Sequence, residues 1–238
     1  AGGAMHPTAG AAMMAPPAVL FLDCDDCLYQ NNWATARKIT SSIAAYTARV
    51  GVSQDRAYLF YKQYGTCLRG MMAEGLVDAA GVEDFLHEVH LIDYSDISPD
   101  PPLAEMLSRL KIPAFVFTAS TREHAARCLQ RVGLDQLPLR GIIDCRACEL
   151  ETKHSRSSFE IAMRVAGVTD PSACVFCDDS PRNLVAAKEL GWRTVLVGLN
   201  DRDTGGTVTC AAADFEIASL HHLAPAMPEL FHPMQPGL

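Results

Sequence analysis

The chain of 238 residues is 49% hydrophobic and 20% charged, the profile of a globular protein with room for one large domain or a core plus a smaller module. Its formal charge of −8 argues against a nucleic-acid partner, because a phosphate backbone demands a basic surface. No apolar run approaches the ~20 residues that span a bilayer, so no membrane partner is expected.

Residues 1–18 are rich in Ala, Gly, Met and Pro and contain no Lys or Arg. They lack the basic start of a secretory signal and the Arg content of a transit peptide, and read as a flexible N-terminal tail. A first buried strand is expected at Val19–Asp23, a short apolar run of the kind found in parallel sheets covered on both faces. It ends in Asp23-Cys-Asp25-Asp-Cys-Leu-Tyr29. Only helix-like patterns follow, near 33–50, 55–73 and 78–91. A crossover between strands needs about a dozen residues, so this stretch reads as an inserted helical module at the sheet edge where ligands bind.

Asp100-Pro101 opens a helix that returns to the core, and further strands are expected at Ala114–Thr118, Gly141–Asp144, Cys174–Asp178 and Thr194–Gly198. Ser120-Thr-Arg-Glu123 reads as a capping box whose helix closes at Gly133. Another helix runs from about Ser155 to Gly167, and Ser180-Pro181 starts one that closes at Gly191. A Gly205-Gly206 turn, an edge strand at Asp214–Ala218 and a short helix complete the pattern, with His221 and His222 read as surface residues. The alternation predicts an α/β fold: a doubly wound, Rossmann-like parallel sheet made by 19–30 and 100–238, with an all-helical cap at 31–99.

Nine Cys, an odd number, sit mostly in apolar runs and read as reduced thiols. With the unsignalled start, the expectation is a chain that stays in the cytoplasm, while the oligomeric state, monomer or homodimer, is left open. Cys24/Cys27, Cys145/Cys148 and Cys174/Cys177 have CxxC spacing, but Cys174 and Cys177 are three apart on a strand and face opposite ways, and the stretch from Cys148 to Cys174 exceeds the usual zinc-ribbon gap, which disfavours zinc.

In open α/β sheets the ligand crevice lies beyond the carboxyl ends of the strands, and four such ends carry reactive groups. Asp23 and Asp25 are two apart, and clustered carboxylates repel unless a cation sits between them. Thr118-Ala119-Ser120 precedes a helix start, where a hydroxyl beside free backbone N–H groups suits phosphate. Lys153 offers a point charge, and Asp178-Asp179 brings a second carboxylate pair. The bland readings are an Asp-rich turn, a helix cap and a solvated Lys. The order along four successive strand ends favours one shared site.

With that order the chain resembles the haloacid dehalogenase superfamily from Val19 onward, and more narrowly its pyrimidine 5′-nucleotidase branch. The branch likeness rests on the Asp23-to-Tyr29 opening, on Tyr61-Lys-Gln-Tyr64-Gly65-Thr-Cys-Leu-Arg69-Gly70, and on Phe117-Thr118 with His124 and Arg127-Cys-Leu. The resemblance implies that Asp23 is the nucleophile that forms an aspartyl-phosphate. It makes Asp25 the general acid and then base, with a pKa raised by its site. Mg²⁺ would be held by the Asp23 carboxylate, the Asp25 carbonyl and the fourth-strand acids, Asp179 directly and Asp178 behind it. Thr118 and Lys153 would bind phosphoryl oxygens, beside Ala119 and Ser120, while Tyr64 and Arg69 would meet base or sugar. Three positions depart from the family's habit: Ala119 stands where Asn is common, His154 where Pro is usual, and Leu137-Pro138-Leu139 in a stretch that usually carries Phe.

The implied activity is Mg²⁺-dependent hydrolysis of nucleoside 5′-monophosphates, pyrimidines favoured. The alternatives are another small phosphate ester such as a sugar phosphate, or a scaffold or switch protein. A receiver also gathers acids, Thr and Lys around Mg²⁺, but its phospho-acceptor lies on the third strand.

Overall fold

The computed structural model describes residues 15–201 and 204–233; residues 1–14 of the expected tail lie outside the described residues. The chain runs through β1 (Val19–Leu22), α1 (Ala34–Arg49), α2 (Gln54–Tyr64), α3 (Cys67–Ala73), α4 (Ala79–Val89) and α5 (Pro101–Ser108). It continues through β2 (Ala114–Phe117), α6 (Arg122–Val132), β3 (Ile142–Ile143), α7 (Arg156–Ala166), β4 (Cys174–Asp178) and α8 (Pro181–Leu190). β5 (Arg193–Val197), β6 (Phe215–Ile217) and α9 (Leu223–Ala226) follow.

The six strands form one sheet in the order β3-β2-β1-β4-β5-β6, and each adjacent pair is parallel. β1 is central, with Leu20 in register with Ala114 on one side and Val175 on the other. The order reverses there, so the carboxyl end of β1 opens onto the switch point of a doubly wound fold. Alternate residues feed opposite layers. Leu20, Leu22, Val116, Val175 and Cys177 pack with α5, α6 and the C-terminal segment. Val19, Phe21, Phe117, Cys174 and Phe176 pack against Phe159, Leu184 and Trp192 on the other face. Cys174 and Cys177 therefore lie on opposite faces of β4, and all nine Cys are free and buried.

The helices α1 to α4 build a third cluster around Tyr46, Phe60, Met71, Phe85 and Val89, joined by Cys145 from beyond β3. The single helix expected over 55–73 is two. Gly65 (φ +85°) closes α2 in the left-handed region, and Thr66 restarts the chain by accepting a hydrogen bond from the Arg69 N–H. The expected box at Ser120 also shifts by one: Thr121 is the N-cap of α6 and accepts from the His124 N–H, which releases the Ser120 side chain.

Candidate active site

β1 stops at Leu22, and the turn that begins at Cys24 lifts Asp23 and Asp25 off the sheet into different partner sets. Asp23, 6% exposed, accepts a short hydrogen bond from Lys153 Nζ. The same ammonium donates to Asp178 Oδ2 at 2.7 Å and to the Phe117 carbonyl at 3.2 Å, which uses all three of its protons. Lys153 thus reaches from the loop after β3 across β2 and β1 to β4. Asp178 is fully buried and is also held by Asn183 Nδ2 at 2.9 Å and the Ser180 N–H at 2.8 Å. Thr118 is buried at the end of β2, and its hydroxyl accepts from the Ser120 N–H at 3.0 Å. Ala119, exposed, adds no polar group there.

Burial is the largest influence on Asp23. With the nearby charges of Asp178 and Asp25 it outweighs Lys153 and pushes the carboxyl up to about 8. Burial and the facing carboxylates of Asp178 and Asp23 likewise raise Asp179. Burial works against the charge of Lys153, but Asp178 and Asp23 together raise its pKa.

The carboxylate oxygens of Asp23, Asp178 and Asp179 lie within 4.8 Å of one another. Three acids against one Lys leave a negative surplus, and raised pKa values mark carboxylates that lack a counter-charge. All donors are hard oxygens, so the residues fit a divalent cation of the Mg²⁺ class. Asp178 is already committed to Lys153, Asn183 and Ser180, whereas no hydrogen bond holds the Asp179 carboxylate among the described residues. A cavity of about 230 Å³, bordered by Asp26, Trp33, Asp179 and Gly198, opens beside it.

Asp25 stands apart from that cluster. Its Oδ1 accepts from the Tyr29 hydroxyl at 2.5 Å and faces His124 Nε2 at 2.8 Å, and its Oδ2 accepts from the Ser120 hydroxyl at 3.2 Å. The expectation of a raised pKa is corrected. Burial alone would raise it, but the charge and hydrogen bond of His124, with Tyr29, carry it well below the carboxylate range. For His124 burial pulls downward, and Asp25 and Cys128 reverse the effect and lift it to about 12.

Of the helical-module candidates, Arg69 forms an ion pair with Glu151 at 3.0 Å and so reaches the loop that carries Lys153. Tyr64 packs its ring on Phe60, 6.2 Å away, and no hydrogen bond or ring contact joins it to the strand-end groups among the described residues. His154 sits against Gly65. Sequence reasoning gave no role to Tyr29, His124 or Asn183. Asn183 carried a usable signal, standing one turn into the helix that Ser180-Pro181 opens.

The haloacid dehalogenase-like hydrolase family matches residues 17–191. Phosphate metabolism protein 8 of Saccharomyces cerevisiae is 27% identical over 202 residues, 77% of this chain and 62% of that protein, so the chain spans about three-fifths of its relative's length. Among solved structures, CbbY from Rhodobacter sphaeroides in complex with phosphate has a TM-score of 0.63 at 19% identity, over 88% of this chain and 96% of that one. The L-2-haloacid dehalogenase from Xanthobacter autotrophicus with chloropropionic acid covalently bound has a TM-score of 0.57 at 15% identity, over 90% and 98%.

Proposed function

Because the chain belongs to the haloacid dehalogenase-like hydrolase family, we propose that it is a Mg²⁺-dependent phosphatase of nucleoside 5′-monophosphates, pyrimidine nucleotides favoured. The observation that carries the reading is the Lys153 ammonium bridging Asp23 and Asp178, with a third acid beside them and Asp25 on the opposite flank.

Asp23 is the nucleophile: its carboxylate oxygen forms the bond to phosphorus as the bond to the leaving oxygen breaks. Asp25, ionised at rest beside His124, first takes up a proton from solvent, gives it to that oxygen, and then accepts one from the water that hydrolyses the aspartyl-phosphate. Thr118, the backbone near Ala119 and Ser120, and Lys153 receive the phosphoryl oxygens. A divalent ion, when bound, offsets the charge of the acids and of the phosphoryl group. Asp23, the Asp25 carbonyl and Asp179 would hold it, with Asp178 behind, fixed by Lys153 and Asn183.

Two features support a phosphatase over a dehalogenase, the other chemistry named among the structural neighbours. A halide leaves as a stable anion and needs no proton, whereas an alcohol leaves well only when protonated, and the second acid of the Asp23-Cys-Asp25 opening offers a group for that task. The acid cluster also calls for a cation. The branch assignment rests on the likeness of residues 61–70 and of the Asp23-to-Tyr29 opening, and is supported by the placing of Arg69 over the Lys153 loop. Residues 31–99 act as the cap that closes on substrate, and Tyr64 and Arg69 meet the nucleoside.

The test is phosphate release from uridine and cytidine 5′-monophosphates and from sugar phosphates, with Mg²⁺ or chelator, for wild type and Asp23→Asn. Mg²⁺-dependent release from the nucleotides, abolished in the variant, is expected. Release from sugar phosphates alone overturns the nucleotide assignment, and release that survives Asp23→Asn overturns the mechanism.

A further inference from the structure

A buried chain of hydrogen bonds runs from Asp25 away from the acid cluster. His124, on the first turn of α6, is 0% exposed, and its Nε2 lies 2.8 Å from Asp25 Oδ1. On the far side of the ring, Nδ1 lies 3.0 Å from the Tyr94 hydroxyl. Tyr94 belongs to the segment that leads out of α4 back to the sheet, and its hydroxyl donates to the His90 carbonyl at 3.1 Å. His90 is itself fixed, Nδ1 donating to the Leu86 carbonyl at 2.7 Å, and its ring lies 4.9 Å from that of His124.

Counting protons settles how His124 is held. A hydroxyl has one hydrogen, and Tyr94 spends its own on a carbonyl, which can only accept. Toward His124 the Tyr94 oxygen must therefore accept, so Nδ1 carries a proton and Nε2 is turned to Asp25. Along Nε2···Oδ1 one proton then serves either partner: on nitrogen it is given to the carboxylate, on oxygen it is given to the ring. Tyr29 grips the same Oδ1 at 2.5 Å, while Oδ2 has only the Ser120 hydroxyl at 3.2 Å. The Asp25 side chain keeps 25% exposure, whereas His124 has none. One oxygen is anchored inside the protein and the other is left on the side of the loop after β2, where a phosphate ester would sit.

We propose that His124 is a positioning residue for Asp25, locked in orientation by Tyr94, and that this pair fixes which Asp25 oxygen meets the leaving group. The inference rests on the phosphatase reading. In the step it serves, the Asp23 oxygen bonds to phosphorus, the bond from phosphorus to the leaving oxygen breaks, and the Asp25 proton moves to that oxygen. His124 touches none of these atoms. It holds the carboxyl that does. The proton given to the leaving oxygen is one carried on Oδ2, distinct from the proton shared along Nε2···Oδ1, which leaves Oδ2 bare in either arrangement.

The readout that isolates this role is the dependence of kcat/KM on leaving group, measured with phenyl phosphate and its 4-nitro and other ring-substituted esters. Nitrophenolate leaves without a proton, whereas phenolate leaves poorly without one, and kcat/KM is blind to the later hydrolysis of the intermediate. Asp25→Asn gives the slope for complete loss of the acid. His124→Gln is expected to lose about 30-fold or more on phenyl phosphate and less than about 3-fold on 4-nitrophenyl phosphate, approaching the Asp25→Asn slope. Tyr94→Phe keeps the ring and removes only the hydroxyl, and is expected to steepen the slope with a smaller loss, about 3- to 10-fold on phenyl phosphate.

Equal losses on both esters would reveal a merely structural His124 and overturn the proposal. If His124→Gln does not fold, Tyr94→Phe decides alone, and an unchanged slope in that variant overturns it. Wild-type protein that hydrolyses no ester overturns the phosphatase reading itself, an outcome distinct from active protein whose variants keep the wild-type slope.

Discussion

Asp23 lies under two opposed demands. The proposed attack on phosphorus needs a carboxylate, yet its buried setting among other acids pushes it up to about 8. The folded protein therefore keeps a proton on Asp23 at pH values where the unfolded chain has released it. Between the ordinary carboxylate range and about pH 8 the folded state binds more protons, so the stability of metal-free protein falls as pH rises. His124, lifted to about 12, adds a loss of the same sign above the ordinary His range. Asp23→Asn, which cannot ionise, is expected to raise the metal-free Tm near neutral pH and to flatten its fall from pH ~5 to ~8. Each ~1 kcal/mol relieved is worth about 2–4 °C in a chain of this size, read by calorimetry in chelator. Asp179→Asn is expected to weaken Mg²⁺ binding by at least about tenfold in a calorimetric titration, because it removes an acid whose carboxylate accepts no hydrogen bond among the described residues. Asp23, Thr118 and Asp178 could be read from the sequence because each stands at or next to a strand end, where a parallel sheet must place it, and Lys153 because it opens the next helical pattern in that order. Tyr29 and His124 could not, since their contact with Asp25 depends on how α6 faces the turn after β1, and no local pattern encodes that.

At the scale of elements, the strands were legible because their buried runs are short, apolar and regularly punctuated. The helical module was less so. A continuous helical pattern over 55–73 hid the break between α2 and α3, which depends on the single left-handed residue Gly65 and the cap at Thr66. The two helices then fold back on each other with almost no gap: a Cβ placed on Gly70 would lie 2.3 Å from Cβ and Cγ of Phe60. Those atoms are the root of the Phe60 side chain and cannot swing aside. Gly70→Ala is accordingly expected to cost about 1–3 kcal/mol, seen as a Tm drop of roughly 2–12 °C, in spite of alanine's better helix propensity. A neutral or stabilising result would mean that α2 and α3 separate readily. The helical module meets the core through the buried Cys145 and His124 contacts and, nearer the surface, through ion pairs of Arg69 with Glu151 and Arg146 with Glu83. Such pairs contribute little to stability and are screened by salt, which suits contacts that break and re-form.

At the scale of the whole molecule, the site belongs to no single element: it is assembled from the ends of β1, β2 and β4 and the loop after β3. Anything that binds there holds the sheet's central strands in register. Mg²⁺ at 100 times its Kd is thus expected to stabilise the whole protein by about 2.7 kcal/mol, or roughly 5–10 °C, with the gain lost in chelator. The position of β1 has a further consequence, for how the protein is made. Its four residues, all 0% exposed in the finished sheet, leave the ribosome first among the strands, but their partners are Ala114–Val116 and Cys174–Cys177. At about 5–20 residues per second, β1 waits roughly 8–30 s for β4 to be synthesised. During that interval α1 to α4 already hold what they need for their own cluster, apart from Cys145 and Leu150. Nascent chains arrested before β4 should therefore protect α1 to α4 from protease while β1 remains cleavable. The central strand, first to be synthesised, is closed on its second side only when β4 emerges.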